Sequence, residues 1–318
     1  MKIIRGVLMR IGYPCINHSV ACSSSHTFRL ASYSEDVLAK TVKSNLSCLK
    51  RMLEFNVGHG ILFFRITSDL IPFASHPICK FNWQSEFRDE FPSLGDLIKR
   101  NSMRISMHPD QFVLINAKDE GIFYRSVKDL EYHAGVLDLL GLDETAKVQI
   151  HVGGVYGDRR GSMARFATRY LGLEEKIRMR LVIENDDVNY DLEECLAISH
   201  ETGVPVLFDS FHHLINGDGT GVRECLSRCN RTWARRDGVP MVDYSSQEKG
   251  ERRGKHASTL DRVFFAIFLK ESSPNDFDLM LEIKDKEKSA IAALTIAERD
   301  SRLWKPQPQG RRQSAGGV

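Results

Sequence analysis

Nine imidazole- or carboxylate-bearing residues of this 318-residue chain stand at the ends of short apolar runs, one or two to a run. Reading forward, they are His76 after ITSDLIPFAS, His108 closing RISMHP, His151 in VQIHVGG and Glu184 in RLVIENDD. Asp209 and His212 follow in PVLFDSFHHL, then Asp243 in VPMVDYSS, His256 in GKHAST and Glu282 in DLMLEIKDK. A strand buried on both faces reads as an unbroken apolar run, and its end is where a polar group first meets solvent. One such histidine would most simply be a half-buried, hydrogen-bonded side chain. The same placement repeated in run after run points to a single polar pocket at one end of a parallel β structure.

The residue types narrow the chemistry. Mixed imidazole and carboxylate ligands suit Mn²⁺, Zn²⁺ or Fe²⁺ better than Mg²⁺, and the lack of thiolates argues against a structural zinc site. Asp209 and His212 are spaced to reach one ion or two neighbouring ones, and Glu184 and Glu282 can each bridge a pair. Clustered ions activate a water and stabilise a departing oxygen, as phosphodiester hydrolysis requires. Sugar isomerisation is the rival chemistry, and the number of histidines favours hydrolysis. Gln111 and Phe112 directly follow His108-Pro109-Asp110, so a Gln–aromatic pair projects from the same rim, where it can enter a base stack. The competing reading of Phe112 is that it opens the apolar run FVLI and packs in the core.

The elements that must position these groups alternate. β-like runs are expected at Ile3–Gly12, Ile61–Ile66, Met103–Met107, Val148–Val152, Leu181–Glu184, Val206–Phe208, Val239–Asp243 and Phe277–Glu282. Each precedes a stretch of helical period: Glu35–Phe55, Ser93–Arg100, Val127–Leu140, Met163–Leu171, Leu192–Thr202, Val222–Trp233, Leu260–Glu271 and Lys286–Arg299. Eight β-then-α units predict a single α/β domain, a (β/α)₈ barrel over residues 1–300, with its site at the C-terminal ends of the strands. An open doubly wound sheet would want a glycine-rich loop after the first strand, and Gly12-Tyr13-Pro14-Cys15 is not one. Residues 301–318, rich in Pro, Gly and Gln, read as a disordered tail.

Bulk properties exclude little but agree. A net charge of +2 announces no nucleic-acid partner by itself, so any basic surface must be local, as in Arg223 to Arg236 and KGERRGK. Seven cysteines without a CxxC pair read as reduced thiols of a cytosolic protein. No secretory leader is evident, and no segment approaches the roughly 18 apolar residues of a membrane helix. The expectation is a soluble intracellular protein of the cytoplasm and nucleoid.

Together, IGYPCIN, SDLIPFASHP, SMHPDQF, HVGG, ENDD, DSFHH, the SSQ…GKHA stretch and MLEIKDKE resemble the ultraviolet-damage endonucleases over roughly residues 1 to 300. That resemblance implies a (β/α)₈ barrel related to the tri-metal apurinic endonucleases, with a manganese cluster at the C-terminal barrel face; Zn²⁺ and Mg²⁺ are the alternatives. It implies ligands at His76, His108, His151, Glu184, Asp209, His212, His256 and Glu282, with Asp243 standing where a histidine is found in the family. Among these, Glu184, Glu282, His108 and His256 are expected to carry catalysis. It also implies a lesion-probing pair at Gln111 and Phe112, and lesion-pocket residues at Tyr13 and Asn17. Met241 departs from the family, standing where some members carry a carboxylated lysine.

The expected activity is incision of ultraviolet-damaged double-stranded DNA immediately 5′ to a photoproduct, by a monomer. Arg159, Arg160, Arg252, Arg253 and Lys255 would contact phosphates from the rim. The alternatives are an abasic-site endonuclease or sugar isomerase on the same barrel, and an inactive barrel that only binds damaged DNA.

Overall fold

The computed structural model describes residues 9–305. Eight parallel strands close in sequence order into a barrel: β1 Ile11–Pro14, β2 Phe63–Ile66, β3 Arg104–Met107, β4 Lys147–His151, β5 Leu181–Glu184, β6 Val206–Asp209, β7 Met241–Tyr244 and β8 Asp278–Leu281. This is the expected single (β/α)₈ fold, and every strand is buried on both faces apart from a half-exposed His151 at the end of β4.

Helices return the chain along the outside, and their starts are marked chemically. Ser34, Asp119, Asp158, Asp191 and Asp261 each accept a backbone N–H of the helix they precede. Such caps satisfy donors that the first helical turn leaves unpaired. Asp119 starts its helix at Glu120, seven residues earlier than the apolar period alone predicts, and Asp158 places Arg159 and Arg160 in the first turn of Arg159–Gly172. Among the described residues no helix is long and apolar enough to cross a membrane.

Three expectations need correction. Residues 3–8 of the first predicted strand lie outside the described residues, and β1 runs from Ile11 to Pro14, so Tyr13 belongs to a strand rather than to the loop after it. The cysteines are not all free: Cys22 and Cys48 form a disulfide, because the loop after β1 folds back along helix Glu35–Gly58. Their separation of 26 residues gives no hint of that contact. Finally, the chain is packed as far as Trp304. Arg302 is buried, with its guanidinium on the carbonyls of Leu269 and Asn275, and Met9 and Leu303 form a β-bridge. The predicted tail from residue 306 onward lies outside the described residues.

The barrel interior is layered. At the N-terminal end a buried ionic network joins Arg10 and Arg104 to Asp278, and Lys147 to Asp237 at 2.6 Å. Above it Phe63, Val182, Leu207, Met241 and Met280 form an apolar plug. The next inward positions of the same strands, two residues on, carry Arg65, Glu184, Asp209, Asp243 and Glu282. Met241 therefore fills the plug, and Asp243, on the same face of β7, reaches the polar layer.

Close approach of β1 and β2 requires Gly12: a Cβ there would lie 1.8 Å from the Phe63 carbonyl oxygen. Gly12→Ala is expected to cost about 3 kcal/mol or more, at or beyond the usual range for overpacking. Gly58, with nothing near its would-be Cβ at the end of a helix, should gain about 0.5–1 kcal/mol on substitution by Ala. Urea midpoints of the two variants should move in opposite directions.

Candidate metal centre

Seven of the nine residues meet in three overlapping groups whose potential ligand atoms lie within 4.8 Å of one another: His108, His151 and Glu184; Glu184, Asp209 and His212; Asp209, Asp243 and Glu282. Glu184 is common to the first two and Asp209 to the last two. His256 borders the third group, its ring 3.9 Å from the Glu282 carboxylate and 6.1 Å, centroid to centroid, from His212. The rings of His108, His151, His212 and His256 follow one another around the mouth at 5.3, 6.1 and 6.1 Å.

The backbone sets the tautomer of three of these rings. His108 Nδ1 lies 2.9 Å from the Pro109 carbonyl, His212 Nδ1 3.0 Å from that of Asn185, and His256 Nδ1 3.0 Å from that of Glu282. A carbonyl only accepts, so each Nδ1 carries a proton and each Nε2 is the ring nitrogen left to face the pocket. Metal-binding histidines are oriented in this way. Nε2 of His108 and of His151 face the same Glu184 oxygen at 2.8 and 3.1 Å. Acceptors held that close need a proton or a cation between them. Asp243 Oδ1 and His151 Nδ1 are buried and lack a hydrogen-bond partner. The donor set, the fixed tautomers and these orphaned atoms fit divalent ions.

Two residues that the apolar-run pattern passed over tie the carboxylates together. Arg65, from β2, donates to Asp243 and Gln149 at 2.7 and 2.8 Å and is ion-paired with Glu282. Gln149, from β4, donates to both Glu184 and Asp243 at 2.6 Å. Arg65 interrupts the otherwise apolar strand FFRI, and that was the signal available, whereas Gln149 alternates with Lys147 and His151 in KVQIH and does not stand out. Asn185 is a third: its amide exchanges hydrogen bonds with the Asp209 backbone, and its carbonyl holds His212.

The electrostatics follow from this crowding. Burial alone would raise the pKa of Glu184, but His151 and His108 outweigh it and hold the carboxyl below its usual range. Burial likewise opposes, and Arg65 overcomes, in Glu282, which falls to about 2. Asp209 is pushed up to about 6 by burial in spite of His212, and burial raises Asp243 well above its usual range in spite of Arg65. Without further positive charge, the pocket resists full ionisation.

The remaining predicted residues separate. His76 lies exposed in the loop after β2, its Nδ1 accepting from Ile78 N–H at 3.1 Å, and belongs to none of the three groups. The loop lines the neighbouring cavity from Ile71 to Ser75, yet His76 at its end stays outside the three groups, which the run ITSDLIPFAS does not disclose. Phe112 does not begin a core run: it is 73% exposed, beside a cavity of about 630 Å³ lined by Gln111, His108, Arg65 and Phe73. Tyr13 and Asn17 do not line that cavity. They are buried, with Tyr13 Oη donating to Asn56 at 2.6 Å and accepting from Asn17 at 2.7 Å, because Tyr13 faces the helix layer rather than the pocket. Of the rim cations, Arg159 is paired with Glu194, Lys255 with Glu251, and Arg253 donates to the Ile215 carbonyl; Arg160 and Arg252 stand exposed.

Removing Arg65 should expose how much charge balance it supplies. Arg65→Leu leaves a buried Asp243 without its cation, a change of about 3–5 kcal/mol in buried pairs. The loss should be full in chelator-treated protein and smaller with divalent metal, read as the change in Tm between the two conditions. Equal losses in both would show that ions do not share Arg65's role.

Comparison with known proteins agrees with this geometry. The family model described as "UV-endonuclease UvdE" matches residues 9–301. A UV DNA damage endonuclease of Clostridium perfringens is 38% identical over 288 residues, 90% of this chain and 70% of that protein. Another, of Bacillus velezensis, is 33% identical over 89% of this chain and 87% of its own. The crystal structure of SacUVDE superposes with a TM-score of 0.87 at 44% identity, covering 91% of this chain and 98% of that one. A match that spans nearly the whole described barrel, on a pocket built this way, shows that the chain belongs to the UV-endonuclease UvdE family and is a DNA endonuclease.

Proposed function

We propose that this enzyme hydrolyses the DNA backbone immediately 5′ to ultraviolet photoproducts, leaving a 3′-hydroxyl and a 5′-phosphate. The observation that carries the reading is the overlap of the three imidazole–carboxylate groups through Glu184 and Asp209, beside an exposed aromatic. His108, His151, Glu184, Asp209, His212, Asp243 and Glu282 would hold divalent ions, with His256 completing the rim. Mn²⁺ is the ion that this hard and borderline donor set suits. Ions bound there would supply Lewis acidity, lowering the pKa of a water and offsetting charge on the phosphate.

The chain's own residues perform the rest. Pro109, Asn185 and Glu282 carbonyls keep three Nε2 atoms aimed inward, so little reorganises when substrate arrives. Arg65 and Gln149 keep Asp243, Glu184 and Glu282 in one layer, and the apolar plug below seals that layer from beneath. In the reaction the water oxygen joins phosphorus, the bond to the 3′-oxygen breaks, and that oxygen leaves with a proton. Glu184, Glu282, His108 and His256 are the groups on which this step depends.

Lesion selection falls to Gln111 and Phe112. A damaged dinucleotide costs less to unstack than an intact one, and an aromatic side chain can fill the space it leaves. The partner is double-stranded DNA met in the nucleoid by a monomer. His76, on its exposed loop, would join the ion cluster only if that loop moved inward with DNA bound.

Irradiated plasmid should be nicked with Mn²⁺ and spared after chelation, and unirradiated plasmid should be spared throughout. Glu184→Ala should abolish nicking and lower the metal content. Nicking confined to depurinated plasmid would support abasic-site cleavage instead. Gln111→Ala with Phe112→Ala should weaken binding to irradiated duplex by about 1–3 kcal/mol while changing intact duplex little, compared at one salt concentration. An equal loss on both duplexes would assign the pair to backbone contact.

A further inference from the structure

The turn after β8 places a lysine within electrostatic reach of the pocket's carboxylates. Lys286 stands just before helix Glu287–Ala297 with φ 54° and ψ −113°. These are the angles of the first central residue in a type II′ turn, a position dominated by glycine because a Cβ is disfavoured there. A lysine persists in such a conformation only when its surroundings impose it, and such outliers gather at functional sites.

The surroundings here are firm. The N–H groups of Lys284 and Asp285 donate to the carbonyls of Ala257 and Ser258 at 3.1 and 3.2 Å, stitching this turn to the loop that carries His256. Lys286 N–H donates to Ile283, and its carbonyl accepts from Ala290. The side chain is half-buried, within the electrostatic reach of Cys15, Glu282 and Arg65. Burial lowers its pKa against the pull of the Cys15 and Glu282 charges.

Arg65, the other cation of this corner, is committed to Asp243, Gln149 and Glu282. Neighbouring Lys284 lies 4.0 Å from Glu248. Among the described residues, no hydrogen bond or ion pair engages the Lys286 ammonium. A desolvated cation without a partner, imposed on an unfavourable backbone beside a pocket meant for an anion, is placed for that anion.

We propose that Lys286 is a substrate-binding residue whose ammonium contacts a non-bridging oxygen of the DNA phosphate held over Glu282. The proposal rests on the endonuclease reading above. Carboxylates dominate this corner, and a phosphodiester approaching it gains from a cation that is not already neutralised.

The test uses metal-loaded full-length protein and the variants Lys286→Met, Lys286→Gly and Lys286→Arg. Wild type is first assayed on irradiated plasmid; if it does not nick, the endonuclease reading fails and this proposal falls with it. Given wild-type nicking, Lys286→Met and Lys286→Gly should slow it on the order of a hundred-fold, as loss of a charge-stabilising donor does. Metal content should be unchanged, and the Tm of Lys286→Gly should be equal to or above that of wild type, since glycine accepts the turn. The slope of log K against log salt for irradiated duplex should become shallower by about 0.9, the value of one phosphate contact. Lys286→Arg should recover most of the activity. Wild-type rates in both uncharged variants would overturn the proposal. So would slower nicking with an unchanged salt slope, because Lys286 would then only support Glu282.

Discussion

Four carboxylates, Glu184, Asp209, Asp243 and Glu282, converge at one end of a barrel whose interior admits little water. Buried like charges repel strongly, and each also loses its hydration. Arg65 and the protons of nearby imidazoles balance only part of that charge. Cations hold Glu184 and Glu282 low, while burial, with the neighbouring carboxylates adding to it, raises Asp209 and Asp243. A pocket in this state has a built-in demand for cations, and the other features of the fold are arranged to sustain it. Closed strands hold the backbone carbonyls that orient the rings, and the layer beneath is apolar.

That apolar layer also separates two charged systems. Below it, three cations, Arg10, Arg104 and Lys147, meet two carboxylates, Asp278 and Asp237, so the lower network has no excess of anions. Above it, anions are in excess. Phe63, Val182, Leu207, Met241 and Met280 keep the cations of the lower network from relieving the upper one. Met241 is informative in this respect, because a charged residue there would link the two layers. With methionine in place, the negative charge contributed by β7 comes from Asp243, at the level where it meets Asp209 and Glu282.

Rigid and adaptable parts are divided between strands and loops. The groups that can hold ions lie on strand ends or within a few residues of them, where packing fixes them on several sides. Gln111 and Phe112, the pair proposed above to read the duplex, lie on a loop beside the cavity and are exposed. Lys286 belongs to the rigid part in spite of its loop position, because its turn is hydrogen-bonded to the neighbouring rim segment.

Much of this was legible in the chain. Unbroken apolar runs ending in His, Asp or Glu announced a parallel barrel with a polar mouth, since strand burial and strand direction are local consequences of residue order. Asp209 and His212, three apart after a strand, could hardly be anything but neighbours. Where contacts depend on how distant segments meet, the order of residues was silent. It did not show that His76 stays outside the three groups, that Tyr13 faces the helices, or that Cys22 reaches Cys48. Nor did it show that Arg65 and Gln149 are the struts between carboxylates contributed by three other strands or their ends. The first three rest on how loops and helices pack, and the last on barrel closure, which brings Arg65 within hydrogen-bonding distance of Asp243, 178 residues away. Local propensity carries no record of it.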